Sequence, residues 1–344
     1  MSKHSSKVIV TGGAGYIGSH TVVELVNAGY EPIIVDNFVN AEKSAIQGIE
    51  TILERKVTVY EGDCADHDFM KGVIAQESDI VGLIHFAAYK AVGESVKKPL
   101  KYYRNNTDSL LTLLELMVEH NIHHIVFSSS CTVYGQPDKL PVTEESPKKP
   151  AESPYGNTKQ ICEEILEDCV NSEMPVNVVA LRYFNPIGAH VSAQIGELPL
   201  GVPNNLVPFV TQTAAGIREK LTVFGNDYNT HDGTCLRDYI HVVDLAKAHV
   251  SALNYLGKKS EASTYNVFNI GTGTGSTVLD VINTFEDVND IKLNYTIGPR
   301  RAGDVEKVYA NVDYANTELN WKAELSLADA LKDAWRWQLS LKKD

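Results

Sequence analysis

The chain has 344 residues, of which 43% are hydrophobic, and its formal net charge is −13 at pH 7. This length and apolar content predict one large α/β domain and a smaller lobe. The negative charge argues against nucleic acid and anionic membranes as partners, because neutralising phosphates requires clustered lysines and arginines. No 18-residue apolar run, signal-peptide core or Cys-x-x-Cys pair occurs, so we expect a reduced, cytoplasmic protein with no membrane partner.

A glycine-rich turn follows the first predicted strand. The β-branched residues 7–10 precede Thr-Gly-Gly-Ala-Gly-Tyr-Ile-Gly at 11–18, and a helix is predicted over 19–27. Both Gly13-x-Gly15-x-x-Gly18 and the wider-spaced set Gly12, Gly15 and Gly18 are present. Strand, glycine turn and helix in this order predict a dinucleotide site, where the backbone approaches a pyrophosphate that rests on helix amides.

Carboxylates follow the next two predicted strands. Strand 32–35 ends in Asp36, which lies 18 residues past Gly18, where a carboxylate accepts hydrogen bonds from the adenosine ribose. No arginine follows it to receive a 2′-phosphate, so NAD is predicted and not NADP. Asp63, after strand 57–60, is predicted to reach the adenine amino group; alternatively it caps the helix over 66–76.

Small and hydroxylated side chains end the fourth and fifth strands. Strand 82–86 opens into residues 87–90, where small side chains let the backbone lie against the cofactor and Lys90 meets a ribose or phosphate oxygen. A helix over 99–120 carries an apolar face that is core or interface. Strand 124–127 ends in the hydroxyl cluster 128–132, at the carboxyl end where parallel sheets bind ligands.

Tyr155 and Lys159 are four residues apart at the start of a predicted helix, so they share one face. Lowering a tyrosine pKa from about 10 to near 7 takes roughly 4 kcal/mol, which we assign to Lys159, a nicotinamide ring and the Ser130 hydroxyl. Tyr155 is therefore predicted to be a general base at neutral pH. Tyr255 and Lys259 have the same spacing, but there the pattern indicates a solvated helix cap.

The remaining chain predicts a second lobe. A sixth strand over 176–181 completes a doubly wound parallel Rossmann sheet, and residues 186–233 are rich in Gly, Pro and Asn, as in ligand-wrapping loops. We expect an NAD-binding domain over residues 1–185, with a return segment near 237–256, and a smaller mixed α/β substrate-binding domain over 186–344. Arg300 and Arg301 favour a nucleotide diphosphate; the alternative is a surface ion pair. No metal site is predicted.

These motifs carry a family resemblance. With residues 11–18, Ser130, Tyr155, Lys159 and Arg182-Tyr183-Phe184-Asn185-Pro186, the chain resembles the extended short-chain dehydrogenase/reductases, and more narrowly the UDP-glucose 4-epimerase family. The likeness runs from about residue 7 to 337 and includes residues 85–87, 90–95, 134–135, 224–228 and 237–241. Ala88-Tyr89 and Cys131 depart from the usual Gly-Leu and Ala of the family, which affects cofactor packing and leaves every catalytic role filled.

The resemblance implies an isomerase of galactose metabolism, which interconverts UDP-galactose and UDP-glucose through a 4-keto intermediate with tightly bound NAD. It also implies a homodimer through the helices at 99–120 and 155–170. The implied catalytic residues are Ser130, Tyr155 and Lys159. The implied NAD-binding residues are these three with Gly12, Gly15, Tyr16, Ile17, Gly18, Asp36, Asn37, Asn40, Asp63, Cys64, Phe86, Ala87, Lys90, Asn105, Tyr183 and Phe184. The implied UDP-sugar residues are Lys90, Ser130, Thr132, Tyr155, Asn185, Asn204, Asn205, Leu206, Thr222, Val223, Phe224, Arg237, Arg301, Asp304 and Val308.

In the implied mechanism, the Tyr155 phenolate takes the proton of the sugar 4-hydroxyl while the hydride at C4 passes to NAD. Ser130 bridges the hydroxyl and the phenol, and Lys159 holds the nicotinamide ribose and keeps Tyr155 acidic. The 4-keto sugar then turns over and takes the hydride back on its other face. Some fungal relatives carry a mutarotase domain after the epimerase portion.

Three further interpretations stay open. A nucleotide-sugar 4,6-dehydratase begins with the same oxidation, but it typically has Asp-Glu where this chain has Cys131-Thr132. A non-catalytic NAD sensor on the same fold is disfavoured by Ser130, Tyr155 and Lys159 together. Val308 falls where some relatives have a bulky tyrosine, so its size predicts room for an N-acetyl group on the sugar.

Overall fold

A seven-stranded parallel sheet is the centre of the computed structural model, which describes residues 6–259, 263–301 and 304–341. The sheet consists of β1 (Lys7–Thr11), β2 (Glu31–Asp36), β3 (Thr58–Glu61), β4 (Ile80–His85), β5 (His124–Ser130), β6 (Asn177–Tyr183) and β10 (Thr264–Ile270). The spatial order is β10-β6-β5-β4-β1-β2-β3. This order confirms the predicted Rossmann-like α/β class.

Eleven helices are found in the described residues. They are α1 (Tyr16–Asn27), α2 (Ser44–Leu53), α3 (His67–Gln76), α4 (Val92–Lys97), α5 (Pro99–Glu119), α6 (Pro154–Asn171), α7 (Leu206–Ala214), α8 (Val242–Leu256), α9 (Val278–Asn289), α10 (Asp313–Glu318) and α11 (Leu327–Ser340), and a short 3₁₀ helix spans Cys131–Tyr134. None of them is both long enough and apolar enough to pass through a bilayer.

Both faces of the large sheet are covered by helices. Alternate strand residues point to opposite faces: Val8, Val10 and Ile34 pack with α1, α2 and α8, whereas Ile9 and Ile33 pack with α3, α5 and α6. Because both faces are buried, the strands are almost continuously apolar, as is typical of parallel sheets.

The smaller part of the molecule is built around one short strand. Strand β9 (Leu236–His241) pairs with β7 (Asn185–Ile187), β11 (Gly275–Thr277) and β13 (Lys307–Val308), and β8 (Leu221–Phe224) pairs with β12 (Tyr295–Gly298). A separate apolar cluster joins these strands to α7, α9 and α11. The structure therefore has the smaller mixed lobe that the sequence predicted.

The chain returns to the large sheet after β9. Helix α8 packs against α1 and β6, and β10 then pairs in parallel with β6 from Thr264 opposite Asn177 to Ile270 opposite Tyr183. The six predicted strands are therefore joined by a seventh, β10, whose sequence follows the smaller lobe. The division of the chain at residue 185 stays a proposal.

Candidate active site

The glycine turn after β1 is tightly packed against the backbone. Gly12 has φ +73°, and a Cβ there would lie 2.8 Å from the amide nitrogen of Ala87. A Cβ on Gly18 would lie 2.2 Å from the carbonyl oxygen of Gly12. Helix α1 begins at Tyr16, and its N-cap residue, Gly15, has no side chain that could accept a hydrogen bond from the first-turn amides. The first-turn amides of residues 16–18 thus suit a pyrophosphate, as the sequence predicted.

Asp36 is buried at the carboxyl end of β2. Its two carboxylate oxygens accept hydrogen bonds from the amides of Ala14, at 3.0 Å, and Phe38, at 2.9 Å. Burial raises the pKa of this carboxyl group. The fixed carboxylate lies beside the glycine turn, where an adenosine ribose would meet it.

Asp63 lies at the same edge of the sheet as Asp36. The Asn37 side chain donates to Asp63 at 3.3 Å, Asn40 is exposed in the turn that follows and Cys64 is buried. The alternative that Asp63 caps the next helix is wrong, because the cap of α3 is Asp66, which accepts from the Phe69 amide at 3.1 Å.

The serines of β5 alternate between two environments. The strand was predicted to end at residue 127, but it continues to Ser130, because Ser128, Ser129 and Ser130 pair with residues 181–183 of β6. Ser128 hydrogen-bonds the Tyr183 hydroxyl, whereas the Ser129 hydroxyl donates to Glu163 at 2.6 Å. Ser130 is buried and accepts from the Thr132 amide at 3.2 Å, and its hydroxyl acts on the Tyr155 phenol.

Helix α6 presents Tyr155 and Lys159 to the end of β5. The Ser153 side chain caps the helix by accepting from the Gly156 amide at 3.2 Å, and Pro154 occupies its first turn. The Lys159 ammonium donates to the Ser128 carbonyl oxygen at 2.6 Å. The structure therefore unites Ser130, Tyr155 and Lys159, and it holds the lysine on the strand backbone.

The protein's own groups do not ionise the Tyr155 phenol. Burial raises the pKa of Tyr155 to about 12, although the hydrogen bond from Ser130 acts in the opposite direction. Burial also lowers the pKa of the Lys159 ammonium to about 8, although Glu163 raises it. The low pKa of Tyr155 stays a prediction that includes the nicotinamide ring, since without that ring the loss of hydration outweighs the effect of Ser130.

The loop after β4 runs along the same edge of the sheet. The amides of Phe86 and Ala87 donate to the Thr11 carbonyl oxygen at 3.0 and 3.2 Å. Tyr183 and Phe184, at the end of β6, are buried. The ring centroids of Phe86 and Tyr183 lie 4.6 and 5.9 Å from that of His249. Phe86 and Tyr183 therefore both pack near the His249 ring at this edge of the sheet.

Asn106 is a site residue that the sequence analysis missed. It is buried, and it binds both the amide nitrogen, at 2.9 Å, and the carbonyl oxygen, at 3.1 Å, of Tyr89. It also donates to the Thr158 hydroxyl at 3.0 Å and accepts from Asn105 at 3.1 Å. Asn106 thus ties the cofactor loop to α6, and a polar amide within an apolar helix face was the available signal.

Arginine side chains gather on the smaller lobe. The Arg301 guanidinium donates to Asp304 at 2.7 Å and lies 5.7 Å from the Phe224 ring. Arg237 lies 4.0 Å from the same Asp304 carboxylate. Arg300 instead donates to the exposed Asp227 at 2.7 Å. Both arginines therefore form ion pairs, Arg300 with Asp227 and Arg301 with Asp304, and contact with a nucleotide diphosphate stays a prediction.

The sequence analysis also missed Glu197, which lies between a residue predicted to bind the UDP-sugar, Asn205, and one predicted to bind both ligands, Lys90. Its carboxylate accepts from the Asn205 amide at 2.6 Å and lies 3.8 Å from the Lys90 ammonium. Lys90 also lies 6.0 Å from the Tyr16 ring. Glu197 is one of four carboxylates in residues 186–233, and nothing in its spacing distinguished it from the others.

The other predicted substrate residues lie on separate elements. Val308 is buried with Val133, Tyr134 and Phe184, and the buried Thr132 hydroxyl has no hydrogen-bond partner in the described part of the chain. Asn185 begins β7, Thr222 and Val223 lie in β8, Leu206 begins α7, and Asn204 is exposed before it.

A group with the composition of a metal site lies outside this cleft. His231, Asp232 and Asp280 have ligand atoms within 4.8 Å of one another. Their carboxylates already have structural duties: Asp280 forms the capping box of α9 with Thr277, and Asp232 accepts from Thr234 at 2.8 Å. We assign no role to this group beyond folding.

The comparisons with known proteins agree with this geometry. The sequence model of the GDP-mannose 4,6 dehydratase family matches residues 9–334. A UDP-glucose 4-epimerase of Drosophila melanogaster is 50% identical over 337 residues, which are 96% of each chain. The chain belongs to the UDP-glucose 4-epimerase family. The bifunctional protein GAL10 of Pachysolen tannophilus is 51% identical over 336 residues, and there the chain spans 48% of the relative's length.

Solved structures of the UDP-glucose 4-epimerase family share the whole architecture. The Bifidobacterium longum epimerase in complex with NAD⁺ and UDP has a TM-score of 0.92 and 46% identity, covering 97% of this chain and 98% of that one. The Stenotrophomonas maltophila epimerase with NAD and formylated UDP-arabinopyranose has a TM-score of 0.95 and 42% identity, covering 98% and 99%. NAD is thus the cofactor seen in similar members of the family.

Proposed function

We propose that the chain interconverts UDP-galactose and UDP-glucose by oxidation and reduction at C4 of the sugar, as an isomerase of galactose metabolism. The observation that carries the proposal is that the Ser130 hydroxyl acts on the Tyr155 phenol in the direction that lowers its pKa, at the sheet edge that also holds the glycine turn. This arrangement puts a proton acceptor where a bound nicotinamide and a sugar hydroxyl would meet.

The residues around the cleft fit NAD. Without a Cβ, Gly12 and Gly18 leave room for the backbone to turn under a pyrophosphate. Asp36 supplies a ribose acceptor, and Asp63, Lys90, Tyr183 and the other implied residues complete the cofactor wall. When bound, NAD accepts the hydride from C4, returns it, and contributes the positive charge of its ring.

The chain's own groups then move one proton. Tyr155 takes the proton of the sugar 4-hydroxyl, and the Ser130 hydroxyl bridges the two groups. Tyr155 gives the proton back when the sugar is reduced on its other face. Lys159, held on the Ser128 carbonyl oxygen, stabilises the negative charge on the phenol oxygen and binds the ribose next to the nicotinamide. Burial of Lys159 keeps water away from its ammonium group.

The smaller lobe is proposed to hold the UDP portion of the substrate. Arg237 and Arg301 converge on Asp304, and their guanidinium groups match the geometry of a diphosphate. Phe224 offers a half-exposed aromatic face for the uracil. Asn185, Asn204, Asn205, Leu206, Thr222 and Val223 complete the proposed contacts.

Acceptance of UDP-N-acetylhexosamines is a finer proposal. Val308 is small and packs beside Phe184 and Tyr134, where a larger side chain would crowd the 2-substituent of the sugar. We expect conversion of UDP-N-acetylglucosamine, and Val308→Tyr should suppress it while conversion of UDP-galactose continues. Undetectable conversion of the acetylated substrate by the parent protein would contradict this proposal.

The dehydratase alternative is disfavoured by the residues that follow Ser130. Elimination of water requires an acid and a base beside the sugar C5 and C6, and the side chains in the 3₁₀ helix are Cys131 and Thr132. Burial raises the pKa of the Cys131 thiol to about 12, so it is a poor base at neutral pH. Formation of a stable 4-keto-6-deoxy sugar would favour the alternative.

A homodimer and a cytoplasmic location complete the proposal. Helices α4 and α5 expose the apolar side chains Val96, Leu100 and Leu111, and α6 lies beside α5. These helices would bury their apolar faces against a second copy. Leu111→Glu should convert a sedimenting dimer to a monomer; a parent protein that sediments as a monomer at micromolar concentration would contradict the dimer.

The deciding experiment incubates the purified protein with UDP-galactose and no added cofactor. Chromatography should detect UDP-glucose, and bound NAD should be released when the protein is denatured. Tyr155→Phe should lose about 10²-fold to 10⁴-fold in rate. Tyr255→Phe is the matched control, since it alters the second Tyr-x-x-x-Lys pair. A Tyr155→Phe protein with full activity would remove the proposed mechanism.

A further inference from the structure

A fully buried ion pair lies directly behind the catalytic residues. Glu163 has no exposed surface, and Arg182 is 3% exposed. The Arg182 guanidinium donates to one Glu163 oxygen through Nε at 2.8 Å and to the other through Nη2 at 2.6 Å. The Lys148 ammonium lies 3.0 Å from the second oxygen. A buried ion pair gains little net stability over apolar packing, so its position calls for another explanation.

The pair touches both elements that carry the catalytic side chains. Glu163 follows Lys159 by one turn of α6, and it accepts from the hydroxyl of Ser129, the residue before Ser130, at 2.6 Å. Arg182 lies on β6 opposite Ser129 and donates to the Tyr134 hydroxyl at 2.9 Å. The pair thus fixes the end of β5 against α6 from the side opposite to Ser130.

We propose that Glu163 and Arg182 are positioning residues of the reaction: they aim Ser130 through Ser129, and their balanced charges set the electrostatic potential at Tyr155 and Lys159. The inference rests on the proposed function and deepens it. Charges one helical turn apart in a buried site interact strongly. The anion of the pair supports the Lys159 ammonium, and the cation prevents that anion from opposing the Tyr155 phenolate.

The other titratable groups near Lys159 and Tyr155 are neutral at physiological pH. On β4, burial and then the Lys159 charge lower the pKa of His85 to about 3. On α6, burial raises the pKa of Cys162 to about 11. Burial likewise raises the pKa of Cys131 in the 3₁₀ helix and of Tyr183 on β6.

The charged groups are therefore few. They are Lys159, Glu163, Arg182 and Lys148, with Arg237 and Asp238 acting on the neighbouring Cys131. A change at Glu163 or Arg182 should consequently reach the phenol through Lys159, on whose ammonium Glu163 acts.

The test titrates Tyr155 in the NAD-loaded protein by the ultraviolet absorbance of tyrosinate, with Tyr155→Phe as the reference. Glu163→Gln removes a negative charge and should lower the phenol pKa by about one unit. Arg182→Gln removes a positive charge and should raise it by about one unit. The double variant Glu163→Gln/Arg182→Gln leaves the charge sum unchanged, so its phenol pKa should return to the parent value.

Opposite signs separate this role from a purely structural one, since loss of stability alone would not move the two titrations in opposite directions. Lys148→Gln is a milder variant, because its side chain is 28% exposed, and it should raise the phenol pKa by a smaller amount, about 0.3 units. Lys71→Gln, which removes an exposed cation paired with Glu119, is the control and should cause no shift.

Equal phenol pKa values in the parent, Lys148→Gln and whichever pair variants fold would overturn the inference, as would shifts of one sign in both single variants. The titration does not require turnover. Opposite shifts in a protein that fails to convert UDP-galactose would therefore support the electrostatic role and contradict only the proposed function.

Discussion

The Lys159 ammonium donates a hydrogen bond to the carbonyl oxygen of Ser128 at 2.6 Å, so this lysine is anchored to strand β5. Its position is fixed by the backbone and by the Phe127 ring, whose centroid lies 4.8 Å away. In the part of the chain that the structure describes, the hydrogen bond of this ammonium is thus to the strand backbone and not to the neighbouring phenol.

Lys159→Met should lower the rate of UDP-galactose conversion by about 10²-fold or more, because the phenolate loses its cationic neighbour. The rate of this variant should stay low at neutral pH, since methionine fills the space of the lysine side chain but carries no charge. Steady-state kinetics at several pH values measure the effect. Lys259→Met is the matched control, and an equal loss of rate in both variants would show that the effect is not specific to the site.

The titration of Tyr155 should depend on NAD. Since burial raises the phenol pKa to about 12, tyrosinate should be negligible at neutral pH in protein stripped of NAD. The positive nicotinamide ring favours phenolate, so the pKa should fall to near 7 when NAD⁺ is bound. By linkage, NAD⁺ should bind more tightly as pH rises through that lower pKa. Difference absorbance measures both titrations, and identical curves with and without NAD⁺ would contradict this account.

Gly12→Ala should abolish copurification of NAD. The substitution forces an L-residue into φ +73°, and its Cβ would lie 2.8 Å from the Ala87 amide nitrogen. The absorbance of NAD released from denatured protein gives the occupancy. Gly72→Ala in α3 is the control, since nothing lies within 4 Å of a Cβ there, and it should raise stability by about 0.5–1 kcal/mol. Full NAD occupancy in Gly12→Ala would remove the glycine turn from the binding site.

Three buried histidines should make the fold sensitive to acid. Burial lowers the pKa to about 3 for His20 and His85 and to about 4 for His249. The unfolded chain binds these protons near pH 6.5, whereas the folded chain does not, so stability is lost as pH falls below 6.5. Each group should cost about 2 kcal/mol between pH 7 and 5.

His20→Asn isolates one of these contributions. Asparagine can still donate to the Tyr16 carbonyl oxygen that His20 contacts at 2.7 Å, but it does not titrate. The variant should be less stable than the parent at pH 7.5, and the difference should shrink by about 2 kcal/mol at pH 5. Urea unfolding at both pH values checks this, and a constant difference would show that His20 does not contribute to acid sensitivity.

The sequence by itself determined the local chemistry. The order of strand, glycine turn and helix predicted the dinucleotide site, because φ/ψ freedom and close backbone approach are local needs that only glycine meets at Gly12 and Gly18. Asp36 followed from its distance to the glycine turn. The Tyr155–Lys159 pair followed from helical spacing together with its place after the glycine turn and the hydroxyl cluster, since Tyr255 and Lys259 have the same spacing.

Only the tertiary structure decided the features that depend on distant residues. Strand β10 joins β6 after the smaller lobe has intervened, and Asn106, Glu197 and the Glu163–Arg182 pair gain their roles from partners far along the chain. The pKa of Tyr155 was also out of reach, because desolvation depends on everything packed around a group. Spacing brings two side chains to one face, but burial by the whole fold decides how they ionise.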